Sequence, residues 1–246
     1  MAKIFIGVGH GGSDPGAVAN GFEEENLNLA IALACNDELV RHGVNVKMSR
    51  YKDEDDGTTE AVAECNAFAP DYALDIHNNA GGGDGAEIYH HYGGGKGKTL
   101  AQNVLNEIVA IGQNSRGLKT RKNSYGKDYY GFIRSTSAPA IIVECAFVDN
   151  KTDIQILDTP AEQKAMGIAI AKGVLKTLGI TYKGETKVAN KTKFKDESKM
   201  SKWAVDSIKK VSDAGIMNGD TDGNFRPKDN LTREEAAVIV AKLLDK

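Results

Sequence analysis

The chain has 246 residues, a net charge of -3 and an ordinary globular make-up, 41% hydrophobic and 26% charged, enough for one full domain plus a small one. That balance carries no electrostatic footprint of a nucleic-acid binder, and no apolar run approaches the ~18 residues that cross a membrane. No nucleic acid and no membrane are therefore expected as partners.

Residues 4–8 form an apolar run that predicts a first buried strand, and the run ends in the glycine-rich turn Gly7-Val-Gly-His10-Gly-Gly-Ser-Asp-Pro-Gly16. Such an ending places His10 at the open rim of a sheet, where α/β proteins build their sites. The glycines leave the ring room for something bound close to the backbone. Apolar positions at helical spacing (Leu27, Ile31, Ala34, Leu39) predict a helix over 26–41, capped by Arg41-His42-Gly43. His42 is then a last-turn residue at the negative end of that helix, not a ligand. Residues 44–48 read as a second strand, 58–68 as a helix and 72–76 as a third strand. A strand over 86–91 carries His90 and His91 as sheet-surface residues, and a helix over 99–111 follows three glycines. Residues 140–143 read as a short apolar strand and 161–178 as a closing helix. Strands alternating with helices make the fold α/β, and no internal repeat is visible.

Cys35, Cys65 and Cys145 are odd in number and lack metal-ligand spacing, so they read as small buried hydrophobes of a chain made in a reducing compartment. Cys145 should face into the helix layer, opposite its neighbour on the strand. The few apolar residues before the first glycines are too short for a signal-peptide core, so the chain is expected to be made in the cytoplasm without one. Residues 181–192 are polar and without periodicity, and read as a linker. Helical patterns over 203–211 and 233–244 flank a turn-rich centre, Asn218-Gly-Asp-Thr-Asp-Gly-Asn224.

Three further positions resemble His10 in being polar residues at strand ends or helix starts. Glu24 precedes the first helix, where acidic residues also serve the helix dipole. His77 follows Asp75-Ile76, and Glu144 follows the apolar Ile141-Ile142-Val143. A buried, unpaired carboxylate is costly, so Glu144 needs a cation, a proton or an exposed rim. Two histidines and one glutamate are the ligand set of a catalytic zinc site, and a second glutamate is then the natural general base. The spacing fits no short ligand motif, so helix-dipole complementation by Glu24 stays open on this pattern alone.

Four segments occur in order: Gly9-His10-Gly-Gly-Ser-Asp-Pro-Gly-Ala17, Glu24-Glu-Asn-Leu-Asn28-Leu29, Asp75-Ile-His77-Asn-Asn79-Ala80 and Pro139-Ala-Ile-Ile-Val-Glu144-Cys-Ala-Phe147. Over residues 3–179 the chain resembles the zinc-dependent N-acetylmuramoyl-L-alanine amidases of the amidase_3 type. The resemblance implies a mixed, mostly parallel sheet flanked by helices, of the zinc-exopeptidase-like kind, as a catalytic domain over 1–180. It implies one Zn2+ per chain held by His10, Glu24 and His77, with Glu144 as catalytic base. It also implies peptidoglycan as substrate, cut at the amide joining N-acetylmuramic acid to L-alanine. Asn79 and Arg134 are candidate substrate contacts that serve equally well as loop supports. The chain departs from the family pattern at Gly7-Val8 (usually Asp-Pro), Glu25 (commonly Lys) and Asp75 (often Ser), positions from which a zinc site is tuned.

The turn-rich centre matches the start of an EF-hand calcium loop, with Asp229 at the twelfth position, but Pro227 lies where a helix should start. Phe194-Lys-Asp196, Trp203-Ala204, Gly223-Asn-Phe225-Arg-Pro227 and Leu231-Thr-Arg233-Glu-Glu235 instead resemble one S-layer homology (SLH) module, small and all-α, over 193–246. That resemblance implies a secondary cell-wall polysaccharide as partner, with Trp203 stacking on a sugar and Arg233 meeting a carboxylate. Trp203 serves equally well as the module's core. The charge agrees: residues 1–180 hold 17 Lys+Arg against 23 Asp+Glu, and residues 181–246 hold 14 against 11. Such modules usually come in threes, so association of chains into a homo-oligomer through this one is an option. The expected protein is a wall-targeted hydrolase, released as phage lysins are or derived from a chain whose export signal has been removed. A zinc peptidase cutting within the stem peptide and a non-catalytic wall-binding protein are the alternatives.

Overall fold

The run at residues 4–8 becomes β1 (Lys3–Val8), buried along nearly its whole length. Ile4, Ile6 and Val8 enter one apolar core and Phe5 enters another, so the strand is covered on both faces. The computed structural model describes residues 1–184, 192–201 and 204–244. They form two units, Met1–Tyr182 and Lys183–Lys246.

In the first unit β1 is followed by a two-strand hairpin, β2 (Val18–Ala19) and β3 (Phe22–Glu23), then α1 (Glu24–Arg41), β4 (Asn45–Met48), α2 (Thr58–Phe68) and β5 (Tyr72–Asn79). Next come β6 (Ala86–His90), α3 (Lys96–Ala110), β7 (Ser115–Lys119), α4 (Gly131–Ser135), β8 (Ala140–Phe147) and α5 (Pro160–Thr177). Six strands make one sheet in the order β4-β1-β5-β8-β6-β7, and only the β6–β8 pair is antiparallel. The fold is the expected mixed, mostly parallel sheet flanked by helices. The chain leaves β1 for β4 on one side and returns as β5 on the other, so the strand order reverses around β1. In open α/β sheets the crevice at such a reversal, outside the C-terminal strand ends, is where ligands bind.

Helices α1, α3 and α5 cover one face through the larger core, while α2 and α4 cover part of the other around Phe5, Cys65, Ala73, Phe132 and Ala140. All three cysteines are buried, and Cys145 lies in the helix-side core. His42 is the C-cap of α1, with Nδ1 2.8 Å from the Glu38 carbonyl oxygen.

Several boundaries differ from the pattern reading. α1 begins at Glu24, because a first turn needs no apolar residue and acidic groups suit its positive end. β5 and β8 run on past their apolar stretches, since ladder bonds do not require apolar side chains, and so place His77 and Glu144 inside paired strands. Neither β7 nor α4 stands out in the sequence pattern, since each is only five residues long.

The second unit has α6 (Val205–Asp213) and α7 (Arg233–Leu244) around a small core of Phe194, Met200 and Ile208. Buried Asp196 accepts from the backbone of Phe225 and Arg226 and ties the central turn down. In that turn Asp220 accepts from the amides of Asp222 and Asn224, the bonding of a closed turn. Part of the expected linker (185–191) and Trp203 lie outside the described residues.

α5 packs against both α1 and α3 at glycines. A Cβ on Gly173 would lie 2.4 Å from Val104 Cα, and one on Gly167 would lie 2.4 Å from the Ile31 oxygen. Both obstacles are backbone, so the helices must part. Gly173→Ala is expected to cost about 1–3 kcal/mol and lower the melting temperature by several degrees in calorimetry. Gly97→Ala is the control: its Cβ meets the Ala140 oxygen at 3.4 Å and nitrogen at 3.9 Å, ordinary contacts, and it should leave stability unchanged or improved.

Candidate metal centre

Three chain segments meet outside the ends of β1 and β5. His10 lies in the turn after β1, Glu24 opens α1, and His77 lies on β5. Each offers one ligand atom, and the three atoms lie within 4.8 Å of one another. His10 Nε2 is 3.3 Å from Glu24 Oε2, and His77 Nδ1 is 3.0 Å from Glu24 Oε1. Donors at zinc distances of about 2.0–2.2 Å in a tetrahedron are themselves roughly 3.3–3.5 Å apart. The separations and the two-nitrogen, one-carboxylate set therefore fit a metal site.

The groups behind the three are as informative. His10 Nδ1 faces Asp14 Oδ2 at 2.8 Å and His77 Nε2 faces Asp75 Oδ2 at 3.4 Å, so each ring is oriented by a carboxylate on its far side. Glu24 accepts from the backbone of Ala17 (3.0 Å) and Asn78 (3.1 Å) and from Asn28 Nδ2 (3.3 Å). Burial opposes its charge, but the two imidazoles hold the carboxyl well below the usual range. Hydrogen bonding to Glu24 raises the His10 imidazole above its ordinary value despite burial. Burial opposes the charge on His77, yet Asp75 and Glu24 carry it well above the ordinary histidine value.

The glycines make room for the site's own side chains rather than for a bound molecule. A Cβ on Gly9 would lie 2.2 Å from the His77 ring, and one on Gly16 would lie 2.6 Å from Glu24 Oε2. His10 itself has φ 62°, a left-handed conformation that the surroundings must enforce. Gly12 and Ser13 donate to Asp53 and Asp55, which clamp the turn from the β4–α2 loop.

Arg50, only 1% exposed, is the residue that sequence reasoning missed. Its guanidinium donates to the carbonyls of Val8 (3.2 Å), Gly9 (3.4 Å), Glu25 (2.9 Å) and Lys52 (3.1 Å). It thereby staples the His10 turn to the start of α1. Next to the acids 53–56, an arginine reads in sequence as a solvated ion pair, and no local pattern says otherwise.

Glu144 pairs in register with His77 on one side and Glu87 on the other. The two glutamates differ. Glu87 is engaged by Asn79 Nδ2 (3.0 Å), the Tyr89 hydroxyl (3.1 Å) and Arg116 Nε (2.9 Å). Glu144 Oε2 is buried with no hydrogen-bond partner among the described residues. Burial, reinforced by Glu24, Glu87 and Asp75 and eased by His77, pushes its carboxyl up to about 7. Asn79 thus braces Glu87 at this rim. Arg134 donates to the carbonyls of Asp128 (2.8 Å) and Tyr129 (2.7 Å). His90 is buried at the far end of β6, and His91 pairs with Asp128.

Residues 4–176 match the family model described as N-acetylmuramoyl-L-alanine amidase. The chain belongs to that family. Residues 193–237 match the S-layer homology domain. The N-acetylmuramoyl-L-alanine amidase CwlM of Bacillus licheniformis is 35% identical over 185 residues, 74% of this chain and 70% of that one. Among solved structures, Cwp6 from Clostridium difficile shares 39% identity at a TM-score of 0.71, covering 72% of this chain and 29% of that one. The N-acetylmuramoyl-L-alanine amidase AmiC2 of Nostoc punctiforme shares 28% identity at a TM-score of 0.66, over 72% and 97%.

Two outcomes are expected. Both histidines hold protons above their ordinary value and must be neutral to bind a metal. Zinc binding should therefore release protons and weaken as the pH falls from 8 to 6; calorimetry in buffers of different ionisation enthalpy reads this, and zero release would contradict it. Arg50→Met removes one donor from each of four carbonyls and should weaken zinc binding about 10–100-fold, measured by competition with a chromogenic chelator.

Proposed function

We propose that His10, Glu24 and His77 hold one zinc ion per chain and that Glu144 is the base that activates the attacking water. As a member of its family the chain is an N-acetylmuramoyl-L-alanine amidase, a peptidoglycan hydrolase with an SLH cell-wall module. The observation that supports the residue roles is the convergence of the three ligand atoms beside a buried glutamate oxygen with no partner. A zinc ion held by these residues would supply a Lewis acid for the scissile carbonyl and would lower the pKa of water.

Glu144 does the proton work. It takes a proton from the attacking water and returns it to the leaving nitrogen as the muramoyl–alanine amide breaks. Its fit to that task comes from burial, which leaves its carboxyl poised near neutrality, and from its register beside His77. Glu87 is unsuited to the task because Arg116 and two other donors already hold it. Asn79 stands at the same rim, and we assign it the nearer substrate contact of the two candidates.

Residues 1–180 are assigned as the catalytic domain, 181–192 as the linker and 193–246 as the wall-binding module. Arg233, exposed at the first position of α7, is the assigned contact to an anionic wall polymer, and Trp203, outside the described residues, is assigned to stack on a sugar ring. α7 has no buried residue, and Val240, Leu243 and Leu244, at i, i+3 and i+4, are more than half exposed, which leaves an apolar face for association of modules. Among the described residues no helix is long and apolar enough to cross a membrane.

Digestion of purified peptidoglycan tests this reading. New N-terminal alanine without new reducing sugars is expected, and any other new amino terminus would mean cleavage within the stem peptide. Glu144→Gln should retain zinc yet lower turnover about 10²–10⁴-fold. Unchanged turnover would remove Glu144 from the mechanism.

A further inference from the structure

Cations are unevenly spread over the first unit. Residues 119–134 hold five Lys+Arg against the single acid Asp128, whereas the rest of residues 1–180 holds 12 against 22. This basic segment starts at the last residue of the edge strand β7 and runs on from the place where β6 ends and β8 begins. That is the opposite end of the sheet from the one that carries His10 and His77.

A cavity of about 510 Å³ opens there, lined among others by Lys96, Lys127, Arg134, His91, Tyr92 and Asp128. Asp128 is already engaged, by His91 and by the Tyr92 amide, so it does not neutralise the lysines. Among the described residues Lys96, Arg121, Lys122, Lys127 and Arg134 have no carboxylate partner. Lys96 also opens α3, whose first turn carries no acid, and the positive end of that helix adds to the field.

Aromatic faces are interleaved with these charges. Lys122 Nζ lies 4.0 Å from the centre of the Tyr92 ring, and the Arg121 guanidinium lies 3.7 Å from that of Tyr129. Tyr92, Tyr125 and Tyr129 are 44%, 85% and 46% exposed. Large exposed rings beside uncompensated cations suit a ligand that offers flat apolar faces and negative groups in alternation.

We propose that this end of the catalytic unit binds an anionic glycan, a chain of sugar rings carrying repeated negative groups. The tyrosines take the sugar faces, and Lys96, Lys122, Lys127 and Arg121 take the charges. The choice of a glycan over other polyanions rests on the reading of the chain as a wall hydrolase. With an SLH module on the same chain, the protein then has two attachments to wall polymer, and their combination holds it more tightly than either alone.

The test compares the full chain with its Lys96→Glu/Lys122→Glu/Lys127→Glu variant by calorimetry at low salt, using polygalacturonate as probe. Dextran tests rings without charge, and polyphosphate and a single-stranded oligonucleotide test charge without a glycan. The wild-type chain should bind polygalacturonate more tightly than the other three, and the variant should bind it at least tenfold more weakly with a shallower salt dependence. The SLH module is identical in both chains, so its contribution cancels. Equal binding by the variant, or tighter binding of dextran, polyphosphate or the oligonucleotide, would overturn the proposal. Hydrolysis of a soluble muramoyl peptide by both chains separates this result from the wall-hydrolase reading, which fails only if neither chain cleaves it.

Discussion

The carboxylate of Glu24 is the point on which the site depends. It is 4% exposed, at the first position of a helix, and is reached by two imidazoles, two backbone amides and one carboxamide. A buried carboxylate is tolerable only with such a complement, and here the donors come from the segment after β1 (His10, Ala17), from β5 (His77, Asn78) and from α1 itself (Asn28). The turn after β1, the start of α1 and the end of β5 are thereby fixed relative to one another. Glycines at 9 and 16 follow from the same constraint, since a side chain at Gly9 would occupy the space of His77 and one at Gly16 that of Glu24. Arg50 holds the same junction from behind, through backbone carbonyls alone.

The sheet explains why the junction lies where it does. Strand order reverses around β1, and α1 and α2 leave on opposite faces, so the C-terminal ends of β1 and β5 open onto a crevice. β8 then brings Glu144 into register beside His77, one strand further along. Two glutamates facing one another across β8 and β6 acquire different characters from their surroundings. Arg116 holds Glu87 as a structural anion, whereas Glu144 is left with a free buried oxygen and a carboxyl close to neutrality.

Much of this was legible in the sequence, for identifiable reasons. Apolar runs and helical spacing mark β1, α1, α2 and α5 because those elements are buried along a face. The four ordered motifs around His10, Glu24, His77 and Glu144 point to one family and so to one geometry. The remainder was hidden because it rests on long-range contacts. Arg50 looks like a surface charge until its four carbonyl partners, from three segments, are brought together. The extent of β5 and β8 depends on pairing between them rather than on either run. The glycines read as space for a bound molecule, whereas the fold fills that space with His77, Glu24 and His10. The basic segment 119–134 stood out neither as a helix nor as a strand, and its concentration of charge was averaged away in the net charge of the whole unit.

X-ray absorption at the zinc edge of the loaded protein tests the central assignment most directly. Two imidazole nitrogens and oxygen donors at about 2.0–2.2 Å should surround one zinc per chain, and His77→Ala should lose one imidazole from that shell. A sulfur shell, an all-oxygen shell, or a shell unchanged in the variant would place the metal elsewhere and contradict the assignment.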